Sequence, residues 1–191
     1  RDYYASRGLG DVYKRQLVDC AAMMPRRYAM APIDSALRQG KTTVEQMLEY
    51  VDAIPMLRDR ERIRAVLAQG DGRVENGGES ECRAVLDELG FPVHRVQVEF
   101  PCLSHPGRVH RVDFLWERDD GTLIAGEFDG VQKYVDPLMT AGRTIRQVVD
   151  DERDRQQCLS RRGVDMVRMF YRDLDLSLIH ISEPTRRVVI S

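Results

Sequence analysis

The chain has 191 residues and a formal net charge of −2, with 42% hydrophobic and 31% charged residues. That balance is that of a globular protein. It excludes a disordered polyelectrolyte, and no apolar run approaches the roughly 18 residues that a spanning helix requires. Near-neutrality also excludes a strongly basic nucleic-acid coat, while leaving room for local basic patches.

Both ends are set aside first. Residues 1–16 are similar to a translated sequencing-adapter read, and the tail from Ser177 to Arg186 is similar to another. The expectation is that residues 1–16 and 177–191 are non-native segments outside the packed fold, which leaves about 160 residues, enough for one domain with a sizeable core. Four cysteines, Cys20, Cys82, Cys102 and Cys158, show no CxxC pairing. No zinc site is expected from them. Cys82 and Cys158 fall in helical patterns and read as buried thiols in a reducing cytoplasm.

In chain order, residues 17–74 read as a helical lead-in. Asp34 opens one helix as a polar cap, Gly40 breaks it, and Thr42, Thr43 and Glu45 form the start of the next. Val44, Met47, Leu48 and Val51 keep helical spacing there. Asp59–Leu67 is a further helix with Ile63, Val66 and Leu67 on one side. The run from Gly70 to Gly78 reads as a loop and the best internal boundary. Residues 75–176 then form a second region. Its first element is a helix from Glu79 to Leu89, stopped at Gly90 and Pro92. Val96, Val98 and Phe100 alternate as a strand with Gln97 on the opposite face.

Next come two apolar runs, Val109–Trp116 and Thr122–Phe128, flanking the polar turn Glu117–Gly121, which predicts a β-hairpin. Alternation places Val112, Phe114 and Trp116 on one face and Asp113 on the other, while Glu127 and Asp129 share a face. Asp113 and Glu127 thereby converge from adjacent strands, with Lys133 a few residues on. Converging carboxylates repel unless a cation neutralises them, so the pattern suits a hard divalent metal such as Mg²⁺ or Mn²⁺. The alternative is a solvated acidic face. His94, His105 and His110 show no regular metal spacing. His110 reads as an ordinary strand residue, or else as a phosphate contact beside Asp113. Beyond the hairpin, Asp150–Leu159 is a helix ending at Arg161–Gly163, and Val164–Tyr171 is a strand. Arg143, Arg146, Arg153, Arg155, Arg161 and Arg162 crowd this helix, either as a solvated surface or as part of a phosphate track with Arg111.

The order helix with Glu79, strand, strand with Asp113, strand with Glu127 and Asp129, helix, strand resembles the PD-(D/E)XK nuclease superfamily. It resembles more closely the branch related to very-short-patch-repair endonucleases, the domain of unknown function 559. The matching residues are Glu79-Ser80, Val112-Asp113-Phe114, Ile124 through Gly130, Lys133-Tyr134, Glu152-Arg153 with Arg155, Leu159, Gly163 and Val167-Arg168, within residues 34–176. The resemblance implies a restriction-endonuclease-like mixed β-sheet flanked by helices, preceded in such proteins by an antitoxin-like winged-helix region. It implies a metal-dependent DNA endonuclease with Glu79, Asp113, Glu127, Asp129 and Lys133 at the catalytic centre. Asp113, Glu127 and Asp129 would be the metal ligands, Mg²⁺ or Mn²⁺ the cofactor, and Arg111, Arg153 and Arg155 the DNA contacts. One departure matters: the superfamily's usual lysine, two residues after the second acid, is Asp129 here. Lys133 would take over its role, or Asp129 would add a ligand. A DNA-binding, antitoxin-type regulator with little or no cleavage remains the alternative.

Overall fold

The computed structural model describes residues 9–103, 105–129 and 145–174. Lys133 and Gly130 lie outside the described residues, as do residues 1–8 and 175–191. The element order is α1 (Leu9–Met23), α2 (Arg26–Arg38), α3 (Val44–Ala53), α4 (Arg60–Leu67), α5 (Gly77–Glu88), β1 (Arg95–Pro101), β2 (Val109–Glu117), β3 (Leu123–Asp129), α6 (Ile145–Ser160) and β4 (Val164–Phe170). The chain divides into two units between Val85 and Leu86, inside α5. No helix among the described residues is long and apolar enough to cross a membrane.

The first unit is helical. Its core joins Leu17, Val18 and Ala21 of α1 with Met30 and Ile33 of α2, Met47 and Val51 of α3, and Ile63, Val66 and Leu67 of α4. Helix α1 runs unbroken from Leu9 through Gln16 and Leu17, and Tyr13 packs against this core, so the part of 1–16 that is described does not lie outside the packed fold as expected. As the spacing predicts, α3 starts at Thr43, but the capping box closes with Gln46 and not with Glu45: the Thr43 hydroxyl accepts from Gln46 N–H at 3.2 Å, and Gln46 Oε1 accepts from Thr43 N–H at 3.3 Å. Gly40, at φ 62°, takes the left-handed turn after α2 that a side chain resists.

Two expectations fail here. Helix α2 begins at Arg26 and passes through Pro32, and Asp34 lies within it instead of capping it. Asp34 is fully buried, accepts from Asp71 N–H at 2.8 Å, and pairs with Arg83 at 3.0 Å. The run from Gly70 to Asn76 is a loop, as expected, but it is packed and is not the boundary, since the units divide after Val85 within α5. A Cβ on Gly70 would meet Leu37 at 2.6 Å and Ile33 at 2.8 Å, and one on Gly72 would meet the α2 backbone at 3.1 Å.

The second unit is a four-stranded sheet in the order β1-β2-β3-β4. The pairs β1/β2 and β2/β3 are antiparallel, and β3/β4 is parallel. Two antiparallel pairs need only short turns, and the β2–β3 hairpin closes through Gly121 at φ 82° with Arg118 N–H donating to Thr122 O. The parallel pair needs a crossover, which α6 supplies. The protein is therefore a mixed α/β fold with helices flanking a mixed sheet. On one side Val112, Leu115, Ala125 and Val164 form a core with Leu159 of α6.

That cluster corrects the simple alternation of β2. Val112 packs with Leu115, not with Phe114 and Trp116, whose rings face each other at 6.2 Å. The phase changes at Asp113. Its carboxylate takes the N–H of Phe128 at 2.9 Å, the β2–β3 ladder stops at Phe114↔Gly126, and on β1 the neighbouring Gln97 adopts φ 52°. A side chain that replaces a carbonyl in the ladder gives the strand a bulge-like break, and such breaks re-aim side chains.

Candidate metal and phosphate site

The break delivers Asp113 to the position next to Glu127. Phe114 pairs with Gly126 and Glu127 pairs in turn with Arg168 of β4, so β2, β3 and β4 each place a charged residue at the same level of the sheet. Asp113 is half-buried, held by Phe128 N–H and by Gln97 Nε2 at 3.4 Å. Glu127 and Asp129 are 7% and 8% exposed, so each carboxylate needs a partner to remain in the protein.

The partners are two arginines. Arg155 of α6 hydrogen-bonds Glu127 Oε1 and also donates to the carbonyl of Arg111. Arg168 bonds Glu152 of α6, and lies 4.0 Å from Glu127 Oε2 and 3.9 Å from Asp129 Oδ2. Burial lowers the pKa of Arg155, and the charge of Asp113 nearby acts against that shift. Both guanidiniums keep a buried Nε with no hydrogen-bond acceptor. Among the described residues, the carboxylates of Asp113, Glu127, Asp129 and Glu152 lie around the guanidiniums of Arg155 and Arg168.

Of the other residues singled out from sequence, Glu79 belongs to the helical unit and is 4% exposed. Its carboxylate accepts from Glu75 N–H at 3.0 Å and from the Asn76 amide, while Asn76 Oδ1 accepts from Glu79 N–H. Such reciprocal capping satisfies the first amides of α5 and accounts for a buried glutamate without a metal. Arg153 and Arg111 are exposed, and Lys133 is outside the described residues.

Sequence reasoning missed Arg168 as a partner of the acids, although it names Val167-Arg168 among the matching residues. It also missed a second cluster, around His110 where β1 ends and β2 begins. Cys158 is not a free thiol: it forms a disulfide with Cys102, the two Cα atoms 5.7 Å apart. The link joins residues 56 apart in sequence, beyond any local spacing signal. Cys82 is free and buried, as expected. His94 Nδ1 accepts from Glu117 N–H at 3.1 Å. His110 is buried beside the disulfide, and burial together with the charges of Arg108 and Arg155 keeps its imidazole neutral below the usual histidine range. Among the described residues, Cys102, His110 and Cys158 are the group of three potential ligands whose donor atoms all lie within 4.8 Å of one another.

No protein-family model matches the chain, and no solved structure matches it at a significant level. Two uncharacterized proteins, from two strains of Mycobacterium tuberculosis, are each 30% identical to it over 150 residues, which covers 71% of this chain and 52% of the relative. The chain thus spans about half the length of the curated relatives it matches.

Proposed function

We propose that the protein is a metal-dependent DNA endonuclease of restriction-endonuclease-like fold, in the branch resembling very-short-patch-repair endonucleases. The observation that carries this reading is the placement of Asp113 beside the β3 acids, with Phe114 paired to Gly126 and Asp113 accepting from Phe128 N–H. Carboxylates on neighbouring strands suit one divalent cation, and the guanidiniums of Arg155 and Arg168 suit phosphate oxygens.

Asp113 and Glu127 would hold Mg²⁺ or Mn²⁺, with Asp129 as a third ligand. Oxygen donors suit a hard cation, and Mg²⁺ keeps open positions for water and phosphate. When bound, the ion would supply charge neutralisation and an acidified water for in-line attack on phosphorus. The chain's own residues supply the rest. Arg155 exchanges its contact with Glu127 for a phosphate oxygen, Arg168 pairs with Asp129 and Glu152, and Phe128 N–H orients the Asp113 carboxylate. Lys133 stabilises the transition-state phosphate or takes the proton of the attacking water. Exposed Arg111 and Arg153 contact the DNA backbone. Cytoplasmic DNA is the substrate this chemistry fits.

A second reading rests on the same arginines. If Arg155 and Arg168 hold the acids permanently, the protein is a DNA-binding, antitoxin-type regulator on a nuclease-like scaffold. Nicking of supercoiled plasmid by the full chain separates the two. The endonuclease relaxes plasmid with Mg²⁺ or Mn²⁺ and not with EDTA, and Lys133→Ala slows it. A chain that shifts DNA in a gel but leaves it uncut under every condition is the regulator.

A further inference from the structure

Cys102 directly follows β1, His105 comes three residues later, His110 lies on β2, and Cys158 lies near the end of α6. One ring nitrogen of His110 and both sulfurs lie within 4.8 Å of one another, and His105 Nδ1 is 3.8 Å from the Cys102 sulfur. A disulfide explains the two cysteines but requires neither histidine. The buried His110 side chain, only 6% exposed, leaves Nε2 without a hydrogen-bond partner. A buried imidazole in that condition loses the full value of its hydration unless something binds it.

We propose that, with the disulfide reduced, Cys102, His110 and Cys158 form a zinc site, with His105 as the fourth ligand. Two thiolates and two imidazoles are a soft donor set that selects Zn²⁺ over Mg²⁺, and the ligand count suits a closed tetrahedral structural centre. Zn–S bonds of about 2.3 Å and Zn–N bonds of about 2.0–2.1 Å put tetrahedral ligand atoms roughly 3.3–3.8 Å apart. To reach that range the two sulfurs must part from their bonded separation and the His110 nitrogen must close in from within 4.8 Å. The chemistry balances as two steps. A dithiol reductant delivers two electrons and two protons to the S–S bond and is itself oxidised to a disulfide. Zn²⁺ then binds both sulfurs and displaces the two thiol protons to solvent. The two states exclude each other, because a disulfide has no thiolate to donate. Either state ties α6 to the β1–β2 connection, three residues beyond Arg155, and so serves to hold that arginine against Glu127.

The test uses the full chain, reduced with a dithiol and freed of it without air, then titrated with Zn²⁺ and separately with Co²⁺. One equivalent should bind, and Co²⁺ should give thiolate charge-transfer and tetrahedral d–d bands. His110→Ala should bind on the order of 100-fold more weakly while still forming the disulfide on oxidation, and His105→Ala should weaken binding by roughly 10-fold. The unmutated chain offers a check that does not depend on a variant folding. Zn²⁺ should protect Cys102 and Cys158 from alkylation, mapped by mass spectrometry, and leave labelling of Cys20 unchanged. Absence of Zn²⁺ binding by the reduced chain, equal labelling of Cys102 and Cys158 with and without Zn²⁺, or unchanged affinity in both histidine variants overturns the site.

Discussion

Replacing Arg155 by Met keeps the length of the side chain and removes its charge, which isolates what the guanidinium does for Glu127. Two contacts are lost. The bond to the Glu127 carboxylate is of the charged kind, about 1.5–3 kcal/mol, and the bond to the Arg111 carbonyl is of the ordinary kind, about 0.5–1.5 kcal/mol. The Arg155 side chain is a quarter exposed, and Arg168 remains 4.0 Å from Glu127 Oε2, so solvent and the second arginine recover part of the loss. A net destabilisation of about 2–3 kcal/mol follows for the metal-free protein. Urea unfolding in EDTA measures it. Repeating the series with increasing Mg²⁺ then separates a structural ion pair from an arginine that shares its carboxylate with a metal. In the parent an entering ion must displace Arg155, whereas in the variant Glu127 Oε1 is open. Mg²⁺ should therefore stabilise the variant more than the parent, approaching about 2.7 kcal/mol at a hundredfold excess over Kd. A variant within about 0.5 kcal/mol of the parent in EDTA would refute the worth assigned to the contact. Equal Mg²⁺ stabilisation of both proteins would refute Glu127 as a ligand.

Gly126→Ala should cost about 1–3 kcal/mol by urea unfolding, because its Cβ would meet the Trp116 ring at 2.7 Å and Met169 Cε at 2.9 Å, an overpacking the sheet cannot relieve cheaply. Asp34→Ala should cost about 3–5 kcal/mol, since it strands Arg83 in the helical core. Burial raises the Asp34 carboxyl above its usual range against the pull of Arg83, so the stability linked to its titration is present in acid and lost as pH rises through the raised value. Asp34→Asn should flatten the stability profile in the pH window just above the ordinary aspartate range, and an unchanged slope would exclude that titration. Asp113→Asn should abolish Mg²⁺-dependent plasmid nicking while leaving the metal-free fold at least as stable as the parent, because removing one charge relieves repulsion among the acids.

What could be read from the chain alone follows the range of each interaction. The hairpin of β2 and β3, the cap at Thr43 and the turns at Gly40 and Gly163 are local, each specified within a few residues, and all are present. The pairing of Asp113 with Glu127 was legible because a tight hairpin fixes register. The phase of Val112 was not, since it depends on Asp113 taking an amide from the neighbouring strand. Asp34 looked like a cap because the residue that neutralises it, Arg83, stands 49 positions away. Arg168 and the Cys102–Cys158 link were hidden for the same reason. Spacing within a segment cannot report a partner brought in by a crossover helix or a parallel strand. Lys133, the proposed replacement for the superfamily's lysine, lies outside the described residues.

The central claim is that Asp113 and Glu127 share one divalent cation, and a crystal structure of the full chain grown with Mn²⁺ tests it most directly, since the ion marks its own position by anomalous scattering. The account predicts a single peak bonded to both carboxylates, with Arg155 released from Glu127 Oε1. Glu127 still bonded to Arg155, with the ion absent or bound elsewhere, would contradict it.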